Sequence, residues 1–174
     1  MTTQMHAILL ATLYIASTAA QAVKAPEFVG NKWLNTPDGK PVTLASRAGK
    51  VTLVHFWAFA CSNCHANMPA YQRLLTKFKD RGVEMIGIHT PEIDQEKKDE
   101  NLLAAVKKWA VKYPMLIDSD GQNWNNWKQD VWPTLYVIDQ EGSVAYYWVG
   151  ELAYKGARGE QEVANVVERL LKNK

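Results

Sequence analysis

The stretch VHFWAFACSNCHANMP, residues 54–69, decides how the chain is read. It opens on an apolar run, passes through the only two cysteines, Cys61 and Cys64, and enters a segment of helical character. C-x-x-C serves three chemistries: a redox dithiol, a haem attachment site when histidine follows, and half of a metal cage. Histidine does follow, as His65. The flanks and the rest of the chain have to separate the three.

Upstream, Val51 to Trp57 is β-branched and mostly apolar, as a buried strand should be. Downstream, Met68, Tyr71, Leu74, Leu75 and Phe78 recur at helical spacing over residues 62–80, with Gly82 as a stop. Val83 to His89 reads as a second buried strand. The charged run EIDQEKKDE reads as a solvated face leading into a helix with Leu102, Leu103, Val106, Trp109 and Ala110 inward. A short strand at 114–118 and a helical piece at 122–128 come next. Two strands joined by Asp139-Gln140-Glu141-Gly142 follow, then a closing helix striped by Val163, Val166, Val167, Leu170 and Leu171. Ahead of all these, Asp38-Gly39 between short strand-like segments predicts an N-terminal β-hairpin. Helices alternating with buried strands predict an α/β fold: a three-layer sandwich with a mixed central sheet, in one domain over residues 23–174.

The 174 residues are 47% hydrophobic and 22% charged, within the globular range, and the net charge of +2 gives no electrostatic case for nucleic acid or an acidic membrane surface. Residues 1–22 contain no Asp, Glu, Lys or Arg and end in Ala20-Gln21-Ala22. That pattern predicts a secretory signal peptide and an exported, periplasmic protein. The competing reading, an uncleaved anchor, needs about 18 apolar residues in a row, more than this run supplies. Export makes one structural disulfide the ordinary reading of two cysteines. A bridge closing a loop of about four residues restrains little unfolded-chain entropy, so it makes more sense as a bond that opens and closes.

Cys61 falls just past a strand, at the start of a helix. Backbone N–H groups and the positive end of the helix dipole favour a thiolate there. Cys61 is therefore the expected nucleophile, and Cys64, one turn in, the expected resolving thiol.

FWAFACSNC, Pro69 five residues after Cys64, and WPTLYVID together resemble the thioredoxin superfamily, in particular its exported TlpA/ResA-type members. GIHTPE resembles the thioredoxin-like domain of DipZ-type proteins still more. The resemblance runs from about Asn31 to Leu171. It implies a thiol–disulfide oxidoreductase without a cofactor, acting on disulfide-containing substrate proteins as a reductase and fed by a membrane electron donor. It implies that Pro133 is the cis-proline facing the dithiol, that Trp132 and Pro133 frame the substrate backbone, that Pro69 kinks the active-site helix, and that Trp57 is the aromatic beside the site. The 68 residues between Cys64 and Pro133 leave room for a TlpA-type α/β insertion. Two features depart from the thioredoxin pattern. His55 stands where a buried Asp manages the resolving cysteine's proton, and reads either as a substitute proton acceptor or as a packed strand histidine. Ser62-Asn63 replaces the common Gly-Pro.

Covalent haem would need His65 as axial ligand and a helical pocket, which an α/β chain does not offer. Zinc needs about four ligands, and His55, His65 and His89 supply no second pair at useful spacing. A thioredoxin-fold peroxidase would carry P-x-x-x-T-x-x-C, but Val54 and Ala58 occupy its Pro and Thr positions. A non-catalytic binding module is the remaining alternative. Trp124, Trp127 and Trp132, or Tyr146, Tyr147 and Trp148, would form its surface, unless these rings fill the core or flank the site.

Overall fold

A computed structural model describes residues 22–172; the expected leader, apart from Ala22, lies outside the described residues. The strands are β1 (Trp33–Leu34), β2 (Val51–Trp57), β3 (Val83–His89), β4 (Met115–Ile117), β5 (Thr134–Ile138) and β6 (Val144–Val149). The helices are α1 (Ser62–Lys77), α2 (Asp99–Lys108), α3 (Gln122–Asn126) and α4 (Gly159–Lys172). The six strands form one sheet in the order β1-β4-β3-β2-β5-β6. β2, β3 and β4 are mutually parallel, and β1, β5 and β6 run antiparallel to their neighbours. The sheet is mixed, as expected.

All seven residues of β2 are buried, because this strand is covered on both faces. Leu53 and Trp57 point into a core shared with α1, α2 and α4. Val54 and Phe56 point the other way, into a smaller core closed by Phe28, Val42 and Trp127. The second layer is thus only α3 and the irregular N-terminal segment.

Three expectations need correction. The N-terminal hairpin does not form: β1 pairs with β4, and Asp38-Gly39 is a tight turn with φ of 58° and 66°. The turn chemistry was legible, but the segment after it stays irregular and packs Val42 into the second core. Leu103 and Ala110 are exposed, and Ala105 takes the inward position, since Leu102, Ala105, Val106 and Trp109 keep the i, i+3, i+4, i+7 spacing. Glu96, inside the charge run, is buried.

Because β2 and β3 are parallel, Trp57 and His89 end side by side at one edge of the sheet. Antiparallel β5 begins at that edge, with Thr134 opposite Phe56. The loops after β2 and β3 and the loop before β5 therefore converge, and the functional residues lie there.

Candidate active site

Cys61 caps the N-terminus of α1 and is joined to Cys64 by a disulfide, Cα to Cα 5.3 Å. The backbone N–H of Cys64 donates to Cys61 Sγ at 3.2 Å. This is the N-cap interaction in which a serine or aspartate oxygen would ordinarily accept, here made by sulfur. Cys61 is half-buried and Cys64 only 1% exposed, so the two sulfurs are not equivalent toward solvent. Pro69 lies inside α1, where its missing N–H removes the helical bond to the His65 carbonyl.

The loop that presents Cys61 is clamped from two sides. Glu96 accepts from the Ala60 N–H at 2.6 Å, and also from the amides of Glu92 and Ile93. On the other side, His65 Nε2 meets the Phe59 carbonyl at 2.6 Å while its ring stacks on Trp109, 4.1 Å between centroids. His65 acts as a strut of the loop, with Trp109, the residue that caps α2's C-terminus, as its structural partner. Sequence reasoning missed Glu96. The available signal was its place a few residues past β3, at the sheet edge where the dithiol also had to sit.

The wall opposite Cys61 comes from the loop ahead of β5. The Trp132–Pro133 peptide is cis. Trp132 packs at a tilt on Trp124, centroids 4.0 Å apart, and the Pro133 carbonyl accepts from Gly150 N–H at 2.8 Å. Between this wall and the α1 N-terminus lies an open pocket of about 370 Å³, which Cys61, Ser62 and Asn63 line from one side and Trp132, Val131 and Asp130 from the other. Glu92 closes one end, so the charged side chains here are acidic.

Trp57 and His55 lie behind the loop, not in the pocket. Trp57 is fully buried and its indole N–H points at Met115 Sδ, 2.9 Å away. The His55 ring packs against Tyr71 at 4.7 Å and Tyr113 at 5.4 Å, and neither ring nitrogen has a hydrogen-bond partner. Burial without a partner lowers its pKa from 6.5 to about 3. Such a ring is neutral at ordinary pH and a weak proton acceptor. His89 is lowered to about 4, mainly by burial, with Glu96 and Asp118 pulling the other way. Among the described residues, no group of three or more His, Cys, Asp or Glu is placed to hold a metal ion.

A disulfide opening onto a pocket that Trp132 of the cis Trp132–Pro133 peptide also lines, at this end of a mixed sheet, defines a thioredoxin-like protein with a C-x-x-C centre. The particular family follows from comparison: residues 22–147 match the AhpC/TSA family, and the chain belongs to it. It is 36% identical over 150 residues to protein DipZ of Mycobacterium tuberculosis, covering 86% of this chain but only 21% of that protein. It is 31% identical over 128 residues to the thiol-disulfide oxidoreductase ResA of Bacillus cereus, covering 74% of this chain and 69% of the relative. A thioredoxin-family thiol:disulfide interchange protein from Chlorobium tepidum superposes with a TM-score of 0.66 at 26% identity, over 88% of this chain and 99% of its own. A secreted disulfide oxidoreductase of Mycobacterium tuberculosis superposes with a TM-score of 0.60 at 22% identity, over 76% and 91%, which shows the shared fold. The chain thus spans about a fifth of the length of the first curated relatives it matches.

Proposed function

We propose that this protein is an exported, periplasmic thiol–disulfide oxidoreductase that reduces disulfides in partner proteins. The observation that carries this reading is the asymmetric pair at the α1 N-terminus: Cys61 faces the pocket and Cys64 lies buried behind it. In the reduced protein the Cys61 thiolate attacks a substrate disulfide, forming a mixed disulfide and releasing one substrate thiolate. Cys64 then loses its proton and attacks Cys61 Sγ, releasing the second substrate thiol and leaving the Cys61–Cys64 disulfide seen here. Two electrons pass to the substrate, and a membrane electron donor restores the dithiol. Trp132 and Pro133 frame the incoming backbone. Residues 1–22 serve as the leader, and residues 23–174 form the working domain.

The test is a redox titration of the purified protein in thiol–disulfide buffers, followed by Trp fluorescence. A potential near about −270 mV or lower supports a reductase, and one above about −180 mV an oxidant or isomerase. Thiols that never cycle overturn the redox reading. The family match brings a peroxidase reading with it, but β2 carries Val54 and the following loop Ala58 where a peroxidatic site has Pro and Thr. Consumption of hydrogen peroxide by the reduced protein at an enzymatic rate would reverse that preference.

A further inference from the structure

The dithiol pocket is one end of a longer trough. It shares Asp130 and Val131 with a neighbouring cavity of about 440 Å³, whose wall continues through Tyr136, Tyr147 and Val149. That cavity shares Trp127, Lys128, Tyr136 and Tyr147 with a third, of about 680 Å³, alongside β6. Three adjoining cavities thus lead from Cys61 across the α3 side of β5 and β6. It is also where exposed apolar side chains gather: Tyr147 is 59% exposed, Val149 49% and Val131 37%. β6 is the outermost strand on this side. Val23 to Ala25 cover its outer edge near Ser143 and Val144, and among the described residues no strand pairs with that edge from Ala145 to Val149.

We infer that this trough seats the substrate protein's own chain beside its disulfide, as an extended segment carrying an aromatic or large aliphatic side chain that packs on Tyr136 and Tyr147. The inference rests on the reading of Cys61 as the attacking thiol. Continuity of the trough with the dithiol pocket selects this occupant, because a substrate held as a mixed disulfide on Cys61 must lead its chain away through one of the pocket's exits. The exit past Asp130 and Val131, which line both cavities, leads toward the apolar side chains. Tyr147 stacks on Tyr136 with centroids 5.9 Å apart, which holds a flat aromatic platform in place before any substrate arrives. The trough would let the protein choose among disulfides that sulfur chemistry alone treats alike.

The test uses single-cysteine peptides blocked as mixed disulfides with thionitrobenzoate. The reduced protein's dithiol becomes a disulfide as the peptide thiol and the coloured thionitrobenzoate leave. A tyrosine is moved through every position on either side of the cysteine in an otherwise alanine sequence. At one offset the tyrosine peptide should react on the order of five- to tenfold faster than the all-alanine peptide. Tyr147→Ser should bring that ratio close to one, while Leu103→Ser, on the exposed face of α2, should preserve it. Equal rates at every offset overturn the inference, as does a preference that survives Tyr147→Ser or one that Leu103→Ser also abolishes. A dimer at assay concentration that Tyr147→Ser dissolves assigns the trough to a second copy and overturns it too. If the reduced protein does not react even with free dithionitrobenzoate, the exchange reading fails and takes this inference with it.

Discussion

The carboxylate of Glu96 accepts the amide of Ala60 at 2.6 Å, one residue before Cys61. Glu96 sits ahead of α2, in the segment between β3 and β4, so that segment supplies one of the two clamps on the dithiol loop. The same buried carboxylate holds the amides of Glu92 and Ile93, and no other acceptor is in place for these three donors. Glu96→Ala leaves them unpaired, and the expected loss of stability is about 2–4 kcal/mol, read from urea denaturation of the oxidised protein. Glu96→Gln keeps one acceptor oxygen and should lose less. A loss below about 0.5 kcal/mol for the alanine variant would mean that the loop is held by other contacts.

His55 makes stability depend on acid. Its folded pKa, about 3, lies below the ordinary 6.5, so between those values the unfolded chain binds a proton that the folded chain refuses. Stability is then complete above about 6.5 and falls as the pH drops toward about 3, by up to roughly 1.4 kcal/mol per unit. His55→Leu removes this slope and also the two unpartnered ring nitrogens. Between about pH 7 and about pH 5, the wild type should lose roughly 2 kcal/mol more than the variant. His89, lowered to about 4, contributes to both proteins and cancels in the difference. Parallel stability curves would show that His55 is protonated or solvated in the folded protein. The rate of thiol exchange against pH separates the two roles open to this ring: a packed histidine leaves that profile in place, and a proton acceptor for Cys64 shifts it.

Gly87 gives His55 its room. A Cβ built there would lie 2.6 Å from Met115 Cε, 2.7 Å from Met115 Sδ and 3.0 Å from His55 Nε2. All of these groups are fully or nearly fully buried, so Met115 has little space to retreat. Gly87→Ala should destabilise by about 1–3 kcal/mol through overpacking. Combining it with Met115→Ala should restore part of that loss, which thermal denaturation of the two single variants and the double variant would measure. Strict additivity would mean that the clash is relieved elsewhere.

The sheet was legible because β2, β3 and β5 are short, mostly apolar runs that the fold buries nearly throughout, while α4 carries a helical apolar stripe that faces the core. The dithiol was legible because only two cysteines exist, and their place after a strand dictates a helix N-terminus. What escaped depends on three-dimensional context. A turn dipeptide such as Asp38-Gly39 fixes two backbone angles but not whether the strands beside it pair. A glutamate in a charged run looks solvated until the chain folds back and offers it amides. Trp124, Trp127 and Trp132 went into the second core and the site wall, while Tyr147 stayed outside. Nothing in residue type alone separates those fates.

The last prediction concerns the order in which the two sulfurs react. Cys61 is half-buried at the pocket, accepts the Cys64 amide, and caps α1, so a negative charge on its sulfur meets aligned N–H groups. Cys64 is 1% exposed and reaches only what is already attached to Cys61. Reduced protein treated with limiting iodoacetamide should therefore be modified at Cys61, with peptide mapping showing Cys64 at least about tenfold slower. Cys64→Ser should hold substrate proteins as stable mixed disulfides through Cys61, whereas Cys61→Ser should trap none. Comparable alkylation of both sulfurs, or trapping by the Cys61 variant, would reverse the assigned roles. It would also place the attacking sulfur on the buried side of the helix, where the pocket walled by Trp132 could not deliver a substrate to it.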